Sequence, residues 1–528
     1  MRVHLVNPSD LSFGTAVITP RWLYVLAAAT PQRFGTPVIV DETLEAFDPT
    51  QVDAGDVVGI GIHTANVLRG YAIGQIARQR GAFVVYGGIH ATLFPAEVRE
   101  RGAAHSVVTG DGELVWPQVL ADCERGSPES LYSGGRIDGE AFSSARWDLL
   151  PDSYMWGSVQ TVRGCPKHCS FCSVWRTDGQ KPRQRRVSDV VSEVVALRRK
   201  GLRFILLADD NFYPVTMADL AAADRRADKQ RLSELTRLRR ERFELMQQLE
   251  RLPDDIVFFT QITMEAAEDP EFLAAMRRAR IRGALVGVES VTPEGLKSVY
   301  KNFNDAGEAL VTRLQAFRSH GVHVLGSFIF GLPTDDVSTF AATATLAQQS
   351  DLSFAQFVML TPFPGTVDFA RWEQQDANTT MIDGIPLTRY WLIPPSKRPK
   401  VYIPHPTMSP ETIRRKTQEV WDGFYTLGAI WRRSTCVRSI RARLAFVLIS
   451  KLYRQMYANT GIATDSARVA RSTRWARWLA KAARRLFLAP PMPDLAEPMG
   501  VAEDRAVAAE KSVTVRGISH RAIPGSRA

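Results

Sequence analysis

Five short apolar runs punctuate the first 140 residues: RVHLV (2–6), PVIVD (37–41), VVGIGI (57–62), FVVYGG (83–88) and HSVVTG (105–110), with helical stretches between them. Unbroken β-rich runs that alternate with helices predict a parallel sheet covered on both faces. Three of the runs end in Gly and small polar residues, at Gly61 to Thr64, Gly87 to His90 and Gly110 to Glu113. Ligands of such folds sit beyond the carboxyl ends of the strands, where glycine lets backbone come close. No Gly-x-Gly-x-x-Gly follows the first run, so a dinucleotide site lacks its main support. Residues 1–140 read as a flavodoxin-like, doubly wound, ligand-binding domain.

Six further runs follow between about 155 and 365: SVQTVRG (158–164), RFILLAD (203–209), IVFFTQIT (256–263), GALVGVE (283–289), VHVLGSFIFG (322–331) and AQFVMLT (355–361). Helical stretches separate them, and six βα units in a row predict a partial (β/α)6 barrel of the TIM type over residues 150–375. The unusual residues fall at the ends of these runs. Cys165, Cys169 and Cys172 follow the first, Asp209, Asp210 and Asn211 the second, Thr263 and Glu265 the third, Glu289 and Ser290 the fourth. Gly331 and Pro333 close the fifth, and Pro362, Pro364 and Gly365 the sixth. In a barrel all of these meet at the carboxyl-terminal mouth, where active sites are built.

The remaining chain divides into a helical region, 376–490, and a tail, 491–528, whose composition predicts disorder. Within 405–431 a helix is expected with Ser409 as its N-cap and Val420, Phe424 and Leu427 on its apolar face, placed to close the open side of the barrel or to cover the substrate. The formal charge of +10 is concentrated here: between Arg432 and Pro490 fourteen Lys or Arg stand against one acid, Asp465, which leaves about −3 for the rest. LAFVLISKLYRQMY and RWARWLAKAARRLFL interleave apolar and basic positions at roughly helical spacing. That pattern suits peripheral contact with an anionic membrane through 430–490, or equally a helix packed on the protein's own body with a solvated basic face. No nucleic-acid motif accompanies the charge, so nucleic acid is not an expected partner. No apolar run of about 18 residues occurs, and MRVHLVNPSD turns polar too soon for a signal peptide. The expected location is cytoplasmic, with the periphery of the inner membrane left open by the basic segment.

The five cysteines exclude a disulfide scaffold. Cys123 and Cys436 are isolated and read as buried structural thiols, whereas RGCPKHCSFC sets three thiols at Cys-x3-Cys-x2-Cys. Structural zinc needs four ligands, and only His168 lies near enough to complete a zinc knuckle. Three thiolates on a tight loop can instead hold three irons of a four-iron cluster and leave one open. This spacing, with Phe171 before the last cysteine, resembles the signature of the radical S-adenosylmethionine (SAM) superfamily. LLADDNF, GVES followed by LKSVYKN, GSFIFGLPTDD and LTPFPGT resemble further segments of that superfamily, in family order. GGIHATLFPAE and VVTGDGE resemble the cobalamin-binding domain that precedes the barrel in one large subgroup. The resemblance covers roughly residues 1–425.

The resemblance implies a [4Fe–4S] cluster on Cys165, Cys169 and Cys172, SAM on the open iron, Phe171 near the adenine and Glu289 on the SAM ribose. Phe171 also fits a simple core aromatic. Asp209, Asp210, Asn211, Thr263, Glu265 and Ser290 would line the same mouth, and His63, Gly88, His90, Gly110 and Glu113 the cobalamin side. Asp-x-His-x-x-Gly, the motif of histidine-ligated cobalamin, is absent, so cobalamin is expected without a protein histidine ligand, or to have been lost. A methylthiotransferase is excluded, because only Cys123 precedes the cluster motif. The implied reaction is C-methylation of an unactivated carbon of a small molecule, with a lipid or isoprenoid substrate suggested by the basic segment. An external electron donor of flavodoxin or ferredoxin type would reduce the cluster. The alternatives are a radical cyclase of the anaerobic magnesium-protoporphyrin ester type and a non-catalytic iron–sulfur scaffold or sensor.

Overall fold

The computed structural model describes residues 1–9, 16–375 and 380–460. The expected tail over 491–528 and the second half of the basic segment therefore lie outside the described residues.

Six parallel strands form the first sheet, in the order Val38–Asp41, Val3–Asn7, Val57–Gly61, Phe83–Gly87, Ser106–Gly110 and Leu131–Gly135. The order reverses between Val3–Asn7 and Val57–Gly61, which is the switch point of a flavodoxin-like doubly wound sheet. Val3, Leu5, Val6, Val57, Val58, Val84 and Val85 are all buried, so both faces are covered, as their unbroken apolar runs require. The sixth strand, LYSGG, escaped the sequence reading because it alternates exposed and buried positions and ends in two glycines.

The second sheet has seven parallel strands in the order Phe354–Met359, His323–Phe330, Ile281–Glu289, Val257–Ile262, Phe204–Leu207, Tyr154–Val159 and Ala16–Ile18. Six of these run in chain order with helices between them, forming the expected half-barrel. Its first strand is Tyr154–Val159, and not 158–164 as the pattern suggested. The strand begins early because Tyr154 and Ser158 are anchored: the Tyr154 hydroxyl donates to Asp41 at 2.7 Å and the Ser158 amide to the Thr19 hydroxyl at 2.8 Å. Val162–Arg163 leaves the sheet and pairs antiparallel with Arg183–Gln184, framing the cysteine loop. The seventh strand, Ala16–Ile18, reaches over from the N-terminal region before the helix Arg21–Ala29 returns the chain to the first sheet.

The edge strand Phe354–Met359 is covered by the helix Pro410–Phe424, opened by a hydrogen bond from the Thr412 amide to the Ser409 hydroxyl. Trp421 Nε1–H donates to the Phe357 carbonyl at 2.6 Å and the Tyr425 hydroxyl to the Ala355 carbonyl at 2.8 Å. A covered edge cannot recruit a foreign strand. The single helix expected through 431 breaks at Tyr425, where Thr426 caps a new one, Leu427–Arg433. A last helix, Ile440–Thr460, lays Phe446 and Tyr453 on Phe354, with ring centroids 5.2 and 5.6 Å apart. No described helix is long and apolar enough to cross a membrane.

Candidate active site

The cysteine loop leaves the first half-barrel strand at the carboxyl-terminal mouth. Its backbone is tied at several points: the Cys165 amide donates to the Gly179 carbonyl, the Ser170 amide to the Val299 carbonyl, and the Ser170 hydroxyl to Asp368 at 3.0 Å. Trp175 Nε1–H donates to the Cys169 carbonyl at 3.0 Å. Cys169 is buried, Cys165 and Cys172 half-buried. Burial pushes the Cys165 thiol up to about 11 and the Cys172 thiol up to about 12, so iron must displace protons to bind. Among the described residues no three His, Cys, Asp or Glu side chains converge as a single-ion site. His168, the would-be fourth zinc ligand, lies exposed against the Tyr300 ring. Three soft thiols that share a loop without sharing a focus suit an iron–sulfur cluster, in which each binds a different iron.

Glu289 ends the fourth half-barrel strand in a left-handed backbone conformation, φ 67°, and pairs with Lys301 at 2.8 Å. Both side chains are buried, and Lys301 lies within electrostatic reach of Cys165 and Cys169. Burial works against the Lys301 charge, but Glu289 and Cys169 outweigh it and hold its pKa above the ordinary lysine value. Gly287 makes room for the pair: a Cβ there would sit 2.2 Å from Glu289 Oε1 and 2.5 Å from Lys301 Nζ. Across the mouth Lys167 pairs with Glu265 at 2.7 Å. Glu265 Oε2, Thr263 Oγ1 and Asn304 Oδ1 are buried without a hydrogen-bond partner. Buried polar atoms are rarely left so, and of the three residues Glu265 reaches the cysteine loop through Lys167.

Other candidates from the sequence have structural partners. Asp209 accepts from the amides of Thr161 and Val162, at 2.6 and 2.9 Å, with Arg242 3.8 Å away. Asn211 spends its amide on the Tyr213 carbonyl and its oxygen on the amides of Tyr213 and Thr263. Ser290 bonds Thr292 at the start of the helix Pro293–Ser298. Asp210 stays with the cysteine loop: its Oδ2 accepts from the Gly164 amide at 2.7 Å, and burial beside Asp178 pushes it up to about 7. Phe171 is half-buried against Val299, Ile329, Leu332 and Leu360.

A cavity of about 520 Å³ lies between the carboxyl ends of the first sheet and the first half-barrel strands. Trp22, Val25, Leu26, Gly61, Gly88 and Gly110 are among the residues that line it. A Cβ on Gly61 would meet the Trp22 ring at 2.4 Å, and Gly88, at φ 95°, would put one 2.6 Å from the Ile62 carbonyl oxygen. His63 lines the cavity. Its Nδ1 accepts from the Ala65 amide at 3.2 Å. This glycine-lined space suits a flat cofactor. His90 lies outside the lining; it is buried with Glu97 and Thr64 and packs on Trp391. Glu113 and Asp111 grip Arg163, at 2.8 and 2.7 Å, so the cavity wall is clamped to the residue two before Cys165.

Lys301, Lys167 and Arg163 were missed by the sequence reading. LKSVYKN and VRGC contain two of them, but only the folded chain shows which acid each faces.

Residues 159–347 match the model of the Radical SAM superfamily. The bacteriochlorophyllide d C-12(1)-methyltransferase of Chlorobaculum tepidum is 28% identical over 374 residues, covering 67% of this chain and 74% of that protein. The hopanoid C-2 methylase of Rhodopseudomonas palustris is 25% identical over 371 residues, covering 68% and 65%. Among solved structures, the radical SAM methyltransferase TsrM from Kitasatospora setae, with cobalamin and a [4Fe–4S] cluster bound, superposes with a TM-score of 0.58 at 17% identity, over 86% of this chain and all of that one. That likeness is one of fold.

Proposed function

We propose that this chain, whose residues 159–347 form a radical SAM domain, is a cobalamin-dependent enzyme that methylates an unactivated carbon of a small molecule. The observation that carries the reading is the clamp of Arg163 on Asp111 and Glu113, which joins the three-thiol loop to the glycine-walled cavity of the first sheet. When bound, the cluster and SAM supply a 5′-deoxyadenosyl radical that abstracts hydrogen, and cobalamin carries the methyl group. Cys165, Cys169 and Cys172 would ligate the cluster. Glu289 would accept from the SAM ribose while Lys301 holds it in place, and Thr263, Glu265 and Asn304 offer their unpartnered atoms to the same ligand. Trp22, Gly61, Gly88 and Gly110 would receive the cobalamin, with His63 beside it. Phe171 would cover the adenine.

The electron donor is external, of flavodoxin or ferredoxin type. A lipid or isoprenoid acceptor, reached from the cytoplasmic side, accords with the basic apolar segment and with a hopanoid methylase among the relatives. The test is anaerobic reconstitution, then SAM and a strong reductant with and without methylcobalamin, reading 5′-deoxyadenosine and S-adenosylhomocysteine by mass spectrometry. Deoxyadenosine that vanishes in the Cys165→Ala, Cys169→Ala, Cys172→Ala variant, and homocysteine product that depends on cobalamin, are the expected results. Deoxyadenosine with no homocysteine product, once substrate is supplied, would favour the cyclase. A cluster that never cleaves SAM would favour the scaffold.

A further inference from the structure

The helix Ile440–Thr460 carries apolar side chains on two faces, and among the described residues only one of them is covered. Phe446 and Tyr453 fill the inward face against Phe354 and Tyr425. On the outward face Ile440, Leu444, Leu448 and Leu452 are 58%, 58%, 62% and 58% exposed. Residues four apart drift by about 40° around a helix, so these four make one stripe about 120° wide and about 18 Å long. A soluble helix normally turns its second face polar; a stripe of bare leucines this long marks a contact surface.

Charge decides what the contact is with. Between Gly423 and Thr460 the chain has seven Lys or Arg and no acid. Arg438 and Arg441 are exposed at the head of the stripe, and among the described residues neither has a carboxylate partner. A second copy of the chain would bring the same positive set to the face. Residues 461–490 would bring seven more basic side chains against the single Asp465. Both would meet like charge at close range. A surface that is apolar below and anionic above has the complementary chemistry: leucine side chains enter the acyl boundary while arginines stay at the phosphates.

We propose that Ile440–Thr460 docks the protein on an anionic lipid bilayer through Ile440, Leu444, Leu448 and Leu452, with Arg438 and Arg441 on the headgroups. The claim is independent of the reaction proposed above, and its test uses no turnover. The full-length protein is co-sedimented with phosphatidylcholine vesicles and with vesicles that also contain phosphatidylglycerol. Binding is expected only to the anionic vesicles. Leu444→Gln with Leu448→Gln should weaken the partition coefficient by about tenfold or more, with Tm unchanged because both positions are exposed. Arg438→Gln with Arg441→Gln should weaken it by about thirtyfold, at about 1 kcal/mol per basic residue. Equal partition of all three proteins, or no binding of the wild type, would overturn the proposal. So would a lower Tm in the leucine variant, which would place the chain's own residues on the face, or a loss of dimer mass in that variant, which would place a second copy there.

Discussion

Replacing Lys301 by Met removes the cation that faces Glu289. The two charges are 2.8 Å apart with side chains 6% and 7% exposed. At an effective dielectric of about 20 they attract by about 6 kcal/mol at that distance, much of it offset by the cost of taking both out of water. Removing one partner leaves the other charge buried and uncompensated, which costs about 3–5 kcal/mol. Glu289→Gln keeps the shape and strands the ammonium instead, with a loss of similar size. The double variant removes both charges, so its loss should fall short of the sum of the single losses by about 3 kcal/mol. At about 2.1 cal/mol/K of unfolding entropy per residue, 4 kcal/mol is about 4 °C if about 450 residues melt together and about 9 °C if a half-barrel of about 220 melts alone. Thermal unfolding followed by circular dichroism, on protein kept free of iron so that cluster loss does not intrude, reads this directly. Single variants within about 1 °C of wild type, or strictly additive losses, would mean that Glu289 and Lys301 are held apart or solvated and form no buried pair.

Two further outcomes follow from the same geometry. Gly88→Ala should cost about 1–3 kcal/mol, because the backbone at φ 95° and the Ile62 oxygen 2.6 Å from a Cβ both oppose it; equilibrium dialysis should also show lost cobalamin retention, and retention at wild-type level would remove Gly88 from the site. Asp335 accepts from the Gly331 and Leu332 amides, and burial pushes it up to about 6, above its ordinary 3.8. The folded state thus favours its protonated form, and that contribution is complete at low pH and lost as pH rises through about 6. Asp335→Asn should therefore gain on wild type by about 1.4 kcal/mol between about pH 5 and about pH 7.5, and parallel pH profiles of the two would show that the carboxyl is already solvated.

Much of the fold was legible because each parallel strand is written as a compact apolar run. What stayed hidden depends on partners far along the chain. Ala16–Ile18 is a strand only because Tyr154–Val159 is there to pair with it, and no local pattern announces it. Leu131–Gly135 joins the sheet as an edge, where neither apolar continuity nor size is required. At the candidate site, the cysteines and Glu289 draw notice by residue type and position, whereas Lys301 looks like any helix-end lysine until the fold buries it against Glu289, twelve residues earlier. Asp209 and Asn211 show the other side of this: strand-end polar residues serve the turn as readily as a ligand, and both bond nearby backbone groups here.

The excursion of Ala16–Ile18 into the half-barrel has a consequence for biosynthesis. This strand leaves the ribosome 138 residues before its partner at Tyr154. At roughly 5–20 residues per second it waits roughly 7–28 s with its backbone groups unpaired. During that interval the first sheet can assemble around it, since Val38–Asp41, Val57–Gly61 and Phe83–Gly87 all emerge before Tyr154. Nascent chains arrested just short of Tyr154 should therefore be protease-sensitive near residue 16 while the first sheet is already protected, and a chaperone that guards single extended strands would find its binding site there.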